Sequence, residues 1–272
     1  PFEGEKITAE MKEVLNEKYG LDKPVGEQYV IYMKGLLKGD FGQSMKYKGR
    51  QVVDTIKNGF PKSAQIGAVA IIASVVVGIL LGVVAALNAN KWPDRICMII
   101  ATLGITIPSF VIGSLLIFIF TVKLGVLGAT GLSKPSNYIM PVIALSGSSM
   151  AFITRLTRNK LIDVLKSDYI RTAKAKGLSG GTVIFKHALR NSLIPVVTYL
   201  GPLTAGVLTG SFVVEKIFAI AGLGNEFTLT ITNRDYTALL GVLAFYCTFI
   251  VICNLVVDLL YVVVDPRIKL EG

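Results

Sequence analysis

The sequence predicts an all-α polytopic membrane protein. Three observations carry that prediction. The 272-residue chain is 52% hydrophobic and only 17% charged, with a mean hydropathy of +0.61, too apolar for an ordinary soluble domain. Five long stretches are nearly free of charge, each close to the roughly 20 residues that cross a bilayer. One polar island interrupts them: from Arg155 to Arg190 there are nine Lys/Arg and two acids, Asp163 and Asp168, a formal +7.

Residues 1–62 form a polar segment with eleven Lys/Arg and nine acids. Balanced charge with regularly spaced apolar residues predicts a small folded region. Glu3–Tyr19 and Glu27–Leu37 read as amphipathic helices, Lys38–Gly42 as a turn, and Gln51–Asn58 as a short helix leading to Pro61. The remainder, 63–272, reads as a transmembrane domain carrying a polar loop at 155–191.

The first visible span is Gln65–Leu87, 23 residues without a charge. Gly78 and Gly82 have the GxxxG spacing that permits close helix contact, although ordinary glycine use in membrane helices explains such a pair equally well. Cys97–Val122 is the second span, with Pro108 in its middle, where the ring should kink or break the helix. Tyr138–Thr154 is the third, with room to continue past the interface. Ser192–Val214 is the fourth; Pro195, Gly201, Pro202, Gly206 and Gly210 predict a bent, buried helix. Thr237–Val264 is the fifth, with Asn254 and Asp258 one turn apart on one face. The connections 123–137 and 215–236 read as loops. Cys97, Cys247 and Cys253 lie in apolar stretches and read as small core residues without a disulfide framework.

Charge sets the expected orientation. A basic loop between spans resists translocation, so 155–191 is expected inside, with Lys91, Arg95, Arg267 and Lys269. The 123–137 and 215–236 loops and residues 1–62 are then outside. An external amino-terminal segment implies a further membrane helix before the first visible one, six in all. The net charge of +10 flanks hydrophobic spans instead of covering a soluble face, which argues against nucleic acid.

The polar island carries helix punctuation. Ser167 can cap a helix whose first turn holds Asp168, and Gly177 suits the left-handed residue that ends one. Ser179 or Thr182 can cap a second short helix ending near Arg190. Ile170, Ala173 and Gly177 recur on one face, a small-residue surface that another protein could approach closely. Leu178-Ser-Gly-Gly181 shares four letters with the ATPase signature, but no GxxxxGK[ST] phosphate loop exists in the chain. It reads as the turn between the two short helices. The single histidine, His187, excludes a multi-histidine metal site.

Asp168-Tyr169-Ile-Arg171-Thr-Ala173-Lys174-Ala175-Lys176-Gly177-Leu178, followed by His187-Ala-Leu-Arg-Asn191, resembles the EAA-type loop of ABC importer permeases, most closely the peptide and nickel subfamily. Arg171 stands where many members have Glu, and Arg190 where many have Pro. Gly39-Asp-Phe-Gly42, Asn233-Arg-Asp-Tyr236 and Asp265-Pro-Arg267 extend the resemblance over nearly the whole chain.

The resemblance implies a MetI-like, type I permease bundle that imports dipeptides or oligopeptides without an ATPase site of its own. Its loop would dock on an ATPase subunit. ATP and Mg would be bound by two partner ATPase subunits, with a homologous second permease and an extracytoplasmic substrate-binding protein completing the assembly. Two alternatives stay open at this stage. One is a nickel permease of the same subfamily; the other is an ATP-independent transporter or channel using Asp258. An intramembrane enzyme is disfavoured because the spans hold no acid–base or nucleophile–base constellation.

Overall fold

A computed structural model describes residues 20–208 and 212–264, together with positions 13 and 16. The expected helix at Glu3–Tyr19, the Asp265-Pro-Arg267 motif and the Asp258 side chain lie outside the described residues. Among these residues the only β feature is one bridge between Gln43 and Gln51.

Helix α1 spans Val25–Leu37 and buries none of its side chains. Helix α2 then runs unbroken from Val52 to Leu87. The short helix expected at Gln51–Asn58 is therefore the start of the first span, not a separate element. Pro61 is inside it. The carbonyl that the ring orphans belongs to Lys57, on the exposed side of the helix. Meanwhile Val52 and Ile56 on the other side are held in an apolar cluster with Leu223, Ala238 and Val242.

Pro93 starts α3, Trp92–Thr106, at a position where its missing N–H costs nothing. Pro108 ends the run. Ile107 is extended, as a residue before proline must be, and α4, Ser109–Leu116, leaves at 104° through a π-helical turn, Ile117–Lys123. Of the expected kink or break, the structure has the break. Helix α5 covers Ile139–Leu165, eleven residues beyond the span's expected end, because the basic residues from Arg155 onward continue the same helix.

Helix α6 is Asp168–Ala175. A π-helical segment, Thr182–Ala188, and α7, Leu189–Ser192, follow; α8 is Ile194–Leu208 with Pro202 inside it. The chain bends by 45° at Leu193, between α7 and α8; this is ahead of the proline- and glycine-rich stretch expected to bend, and α8 runs unbroken through Pro202 with several exposed residues. The 215–236 connection is mostly helical, not a loop: α9 is Phe212–Ile217 and α10 is Leu223–Thr232. Helix α11, Tyr236–Val264, completes the bundle. Among the described residues, three helices are long and apolar enough to cross a bilayer, or five spans if each bent pair counts as one.

The α2–α5 seam is built from the GxxxG pair. A Cβ added at Gly78 would sit 2.9 Å from Ile153 Cβ, and one at Gly82 would sit 2.6 Å from Thr157 Cβ. Both glycines therefore let two backbones approach closely. Gly104 does the same for α3, where an added Cβ would lie 2.6 Å from the Gly147 carbonyl of α5. Cys97 is buried between helices, but Cys247 on α11 is exposed and Cys253 half-buried, so those two are not core residues of this chain.

Candidate functional site

The polar island folds as two short helices packed across the ends of α2 and α5. Ser167 occupies the position before α6, yet its hydroxyl caps nothing there. It donates instead to the Val164 carbonyl at 2.6 Å. Gly177 is left-handed at φ +78°. Its N–H donates to the Lys174 carbonyl, and Leu178 N–H reaches back to the Ala173 carbonyl, so two of the last carbonyls of α6 are satisfied. Thr182 N–H makes only a long contact of 3.4 Å with Ser179 Oγ.

The faces divide differently from the sequence reading. Ile170 and Ala173 point into the chain, in a cluster with Ala86, Leu161, Val183 and Ala188. The small-residue face is therefore the anchor that seats α6 on its own bundle, not an open docking surface. The outward face carries Asp168, Tyr169, Arg171, Lys174, Ala175, Lys176, Gly177 and Leu178, all exposed. Phe185, which sequence reasoning passed over, joins them at 66% exposure. Its signal was available: it is an aromatic residue between buried Val183 and Ala188, off their face. Tyr169 Oη accepts a hydrogen bond from Asn191 Nδ2 at 2.9 Å, tying the two short helices together. The Arg171–Asp168 pair is 3.5 Å long and fully exposed, and contributes little.

The exposed side chains of the two helices include the aromatic and apolar Tyr169, Leu178 and Phe185 and the basic Arg171, Lys174, Lys176, Lys186 and Arg190. Exposed aromatic side chains mixed with basic ones suit a protein partner that offers apolar and acidic groups. The turn between the helices is residues 176–179; Gly180 and Gly181, expected in that turn, are already helical and lead into the π-helical segment.

Beneath the edge, α3 is locked to α5. Arg158 donates from Nε and Nη2 to the two carboxylate oxygens of buried Asp94, both at 2.6 Å. Asn90, at φ +67°, adds its N–H to the same carboxylate.

At the far end of α2 a compact lobe forms from residues 40–52 and α9–α10. Asp235 accepts from the Ser44 hydroxyl and from Met45 N–H. Arg50 pairs with Glu226 at 3.0 Å. Glu215 is buried and accepts from the Ser63 hydroxyl at 2.8 Å and from Asn225 N–H at 2.9 Å. Burial pushes its carboxyl above the usual carboxylate range, against the lowering effect of those donors. A side chain at Gly222 would collide with both Glu215 and Ser63. Among the described residues, no three His, Cys, Asp or Glu side chains come together as a metal site.

The family described as "binding-protein-dependent transport system inner membrane component" matches residues 78–270. The chain is 46% identical to the dipeptide transport system permease protein DppB of Bacillus subtilis, over all of this chain and 88% of that protein. It is 43% identical to the oligopeptide transport system permease protein OppB of Haemophilus influenzae, over 99% of this chain and 89% of that one. In structure it resembles the MetNI methionine ABC transporter in an inward-facing form. The TM-score there is 0.66 at 18% identity, covering 78% of this chain and 97% of the other. An amino acid ABC transporter gives 0.60 at 15% identity, covering 77% and 94%.

Proposed function

The chain belongs to the family of inner membrane components of binding-protein-dependent transport systems, and from that premise we propose that it carries dipeptides or oligopeptides across the cell membrane as one of two homologous permease subunits. The relatives named for dipeptide and oligopeptide transport support the substrate class. Energy would enter from two separate ATPase subunits that bind ATP and Mg, and an extracytoplasmic binding protein would deliver substrate.

One observation carries the mechanism. The helix pair at 168–191 has one face anchored by Ile170 and Ala173 and the opposite edge, Tyr169 to Leu178, open. In this reading the open edge docks on an ATPase subunit in the cytosol, and movement of that subunit drives the spans between inward- and outward-facing states. Residues 1–62 and the 215–236 lobe lie on the outer side and meet the binding protein.

The test uses the assembled transporter in proteoliposomes. Ala175→Trp and Leu178→Asp alter the open edge without touching the anchor. Peptide uptake and peptide-stimulated ATP hydrolysis should both fall about tenfold or more while subunit stoichiometry in the membrane is unchanged. Full coupling in both variants would remove the docking role. Wild-type uptake of nickel that peptides fail to compete with would remove the substrate class. Modification of Lys174 by an impermeant reagent from outside intact cells would reverse the orientation.

A further inference from the structure

The structure fixes what hydropathy leaves open, the rotation of each helix. Of the three unbroken spans, α5 has the largest share of buried residues, 56% against 28% for α2 and 11% for α11. One stripe of it nevertheless stays uncovered: Ser148, Phe152 and Asn159 are exposed and Arg155 is half-buried. Spacings of four, three and four put these four residues on a single face. The opposite face packs on α2 through Ile153 and Thr157. On one side of the stripe α3 closes in at Gly104–Gly147. On the other, Tyr199 of α8 lies against Phe152, ring centroids 4.2 Å apart. The stripe thus lies between α3 and α8.

Arg155 is the charged member of the stripe. Its Nη2 donates to Thr102 Oγ1 at 2.9 Å, and its Nε is shielded from solvent with no partner. Among the described residues no carboxylate pairs with it. Thr102 is ten residues into α3, about 15 Å along the helix from Trp92, so this guanidinium meets α3 about two turns beyond the Asp94–Arg158 pair. Arg158, one turn away, shows the contrast: its guanidinium is saturated by Asp94 in a two-point pair. A guanidinium held among apolar helices is costly against lipid and belongs on an aqueous or protein-lined surface. Five rigid donors suit a carboxylate.

We propose that this stripe lines the translocation path and that Arg155 takes the terminal carboxylate of a peptide in transit. The carboxylate role rests on the peptide reading above; the lining role does not.

Two measurements on the assembled transporter separate them. In a background with Cys97, Cys247 and Cys253 replaced, Ser148→Cys should react with a charged methanethiosulfonate, at least fivefold more slowly when saturating peptide is present. Leu80→Cys, on the apolar outer face of α2, should stay unreactive. A Ser148→Cys protein as inert as Leu80→Cys overturns the lining role. In the second measurement, uptake of a peptide with a free carboxylate is divided by uptake of its C-terminal amide. Arg155→Gln should lower that ratio about tenfold relative to wild type, the size of one charge-assisted bond, and Arg155→Lys should restore part of it. Since both proteins share one binding protein, its own preference cancels. An unchanged ratio with total uptake lost alongside permease pairing would assign Arg155 to an acidic residue of the second permease and overturn the carboxylate role. Wild-type transporter importing neither peptide would refute the peptide reading and that role together, leaving the labelling to decide the lining.

Discussion

The Asp94–Arg158 pair gives the sharpest stability prediction. Asp94 is 3% exposed, and both its oxygens are met at 2.6 Å by Arg158. Replacing Arg158 with Ala leaves a buried carboxylate with one remaining donor, the Asn90 N–H. Breaking such a pair from one side costs about 3–5 kcal/mol, because the surviving charge keeps its desolvation penalty. Removing both charges, as in Asp94→Asn with Arg158→Ala, should cost about 1–2 kcal/mol, so the cycle built on these two substitutions should show a coupling energy of at least ~2 kcal/mol. Thermal denaturation of the purified assembly is the assay. For a chain of this size the single variant should lose on the order of 10 °C in Tm. A loss under ~2 °C, or a double variant destabilised by the sum of the singles, would refute the account of a buried two-point clamp.

Three further outcomes follow from particular contacts. Gly82→Ala must separate α2 from α5 at Thr157 and should cost about 1–3 kcal/mol, whereas Gly181→Ala, with nothing within 4 Å, should leave the same melting curve unchanged. Burial raises the Glu215 carboxyl, so the fold favours its protonated form. That contribution is present below the ordinary carboxylate range and is lost as pH rises through the raised value. Hydrogen exchange of the Leu223–Thr232 amides should therefore quicken with pH beyond the intrinsic rate, and Glu215→Gln should abolish the excess. Gly177→Val should weaken the end of α6, since a β-branched residue at φ +78° is strained by about 1–2 kcal/mol; protease sensitivity near Leu178 would report it, and equal resistance would contradict the cap.

Much of the architecture was legible because the bilayer imposes it. Uncharged runs, Pro108 and the basic island each have a local physical cause, and each appears where expected. Three features were not legible. The face on which Ile170 and Ala173 lie could be read from their spacing, but not whether it turns inward. Only the arrival of Ala86 and Leu161 from elsewhere decides that. The lobe at 215–236 depends on Glu215 meeting Ser63, 152 residues away, a partnership with no local trace. Pro61 failed to end a helix because tertiary packing on Val52 and Ile56 overrode its local cost.

The contacts also say how a push on the open edge would travel. Helix α6 is seated on the ends of α2 and α5 by Ile170 and Ala173, α5 is clamped to α3 by Arg158, and glycines close the α2–α5 seam. Packed seams of this kind move as units, because interdigitated cores resist continuous deformation. The chain is already broken at Ile107–Pro108, by 104°, and at Leu193, where little further strain is needed to change the angle. The expectation is a rigid block of α6 with the coupling-loop ends of α2, α3 and α5, flexing at those two breaks. Spin labels at Lys174 and Lys91 should keep their distance when ATP is added to the assembled transporter, while Lys174 and Val122, across the Pro108 break, should change theirs by several ångströms. A Lys174–Lys91 distance that shifts as much as the other pair would mean that the clamp yields, and that the motor's work is absorbed at the loop instead of reaching the spans.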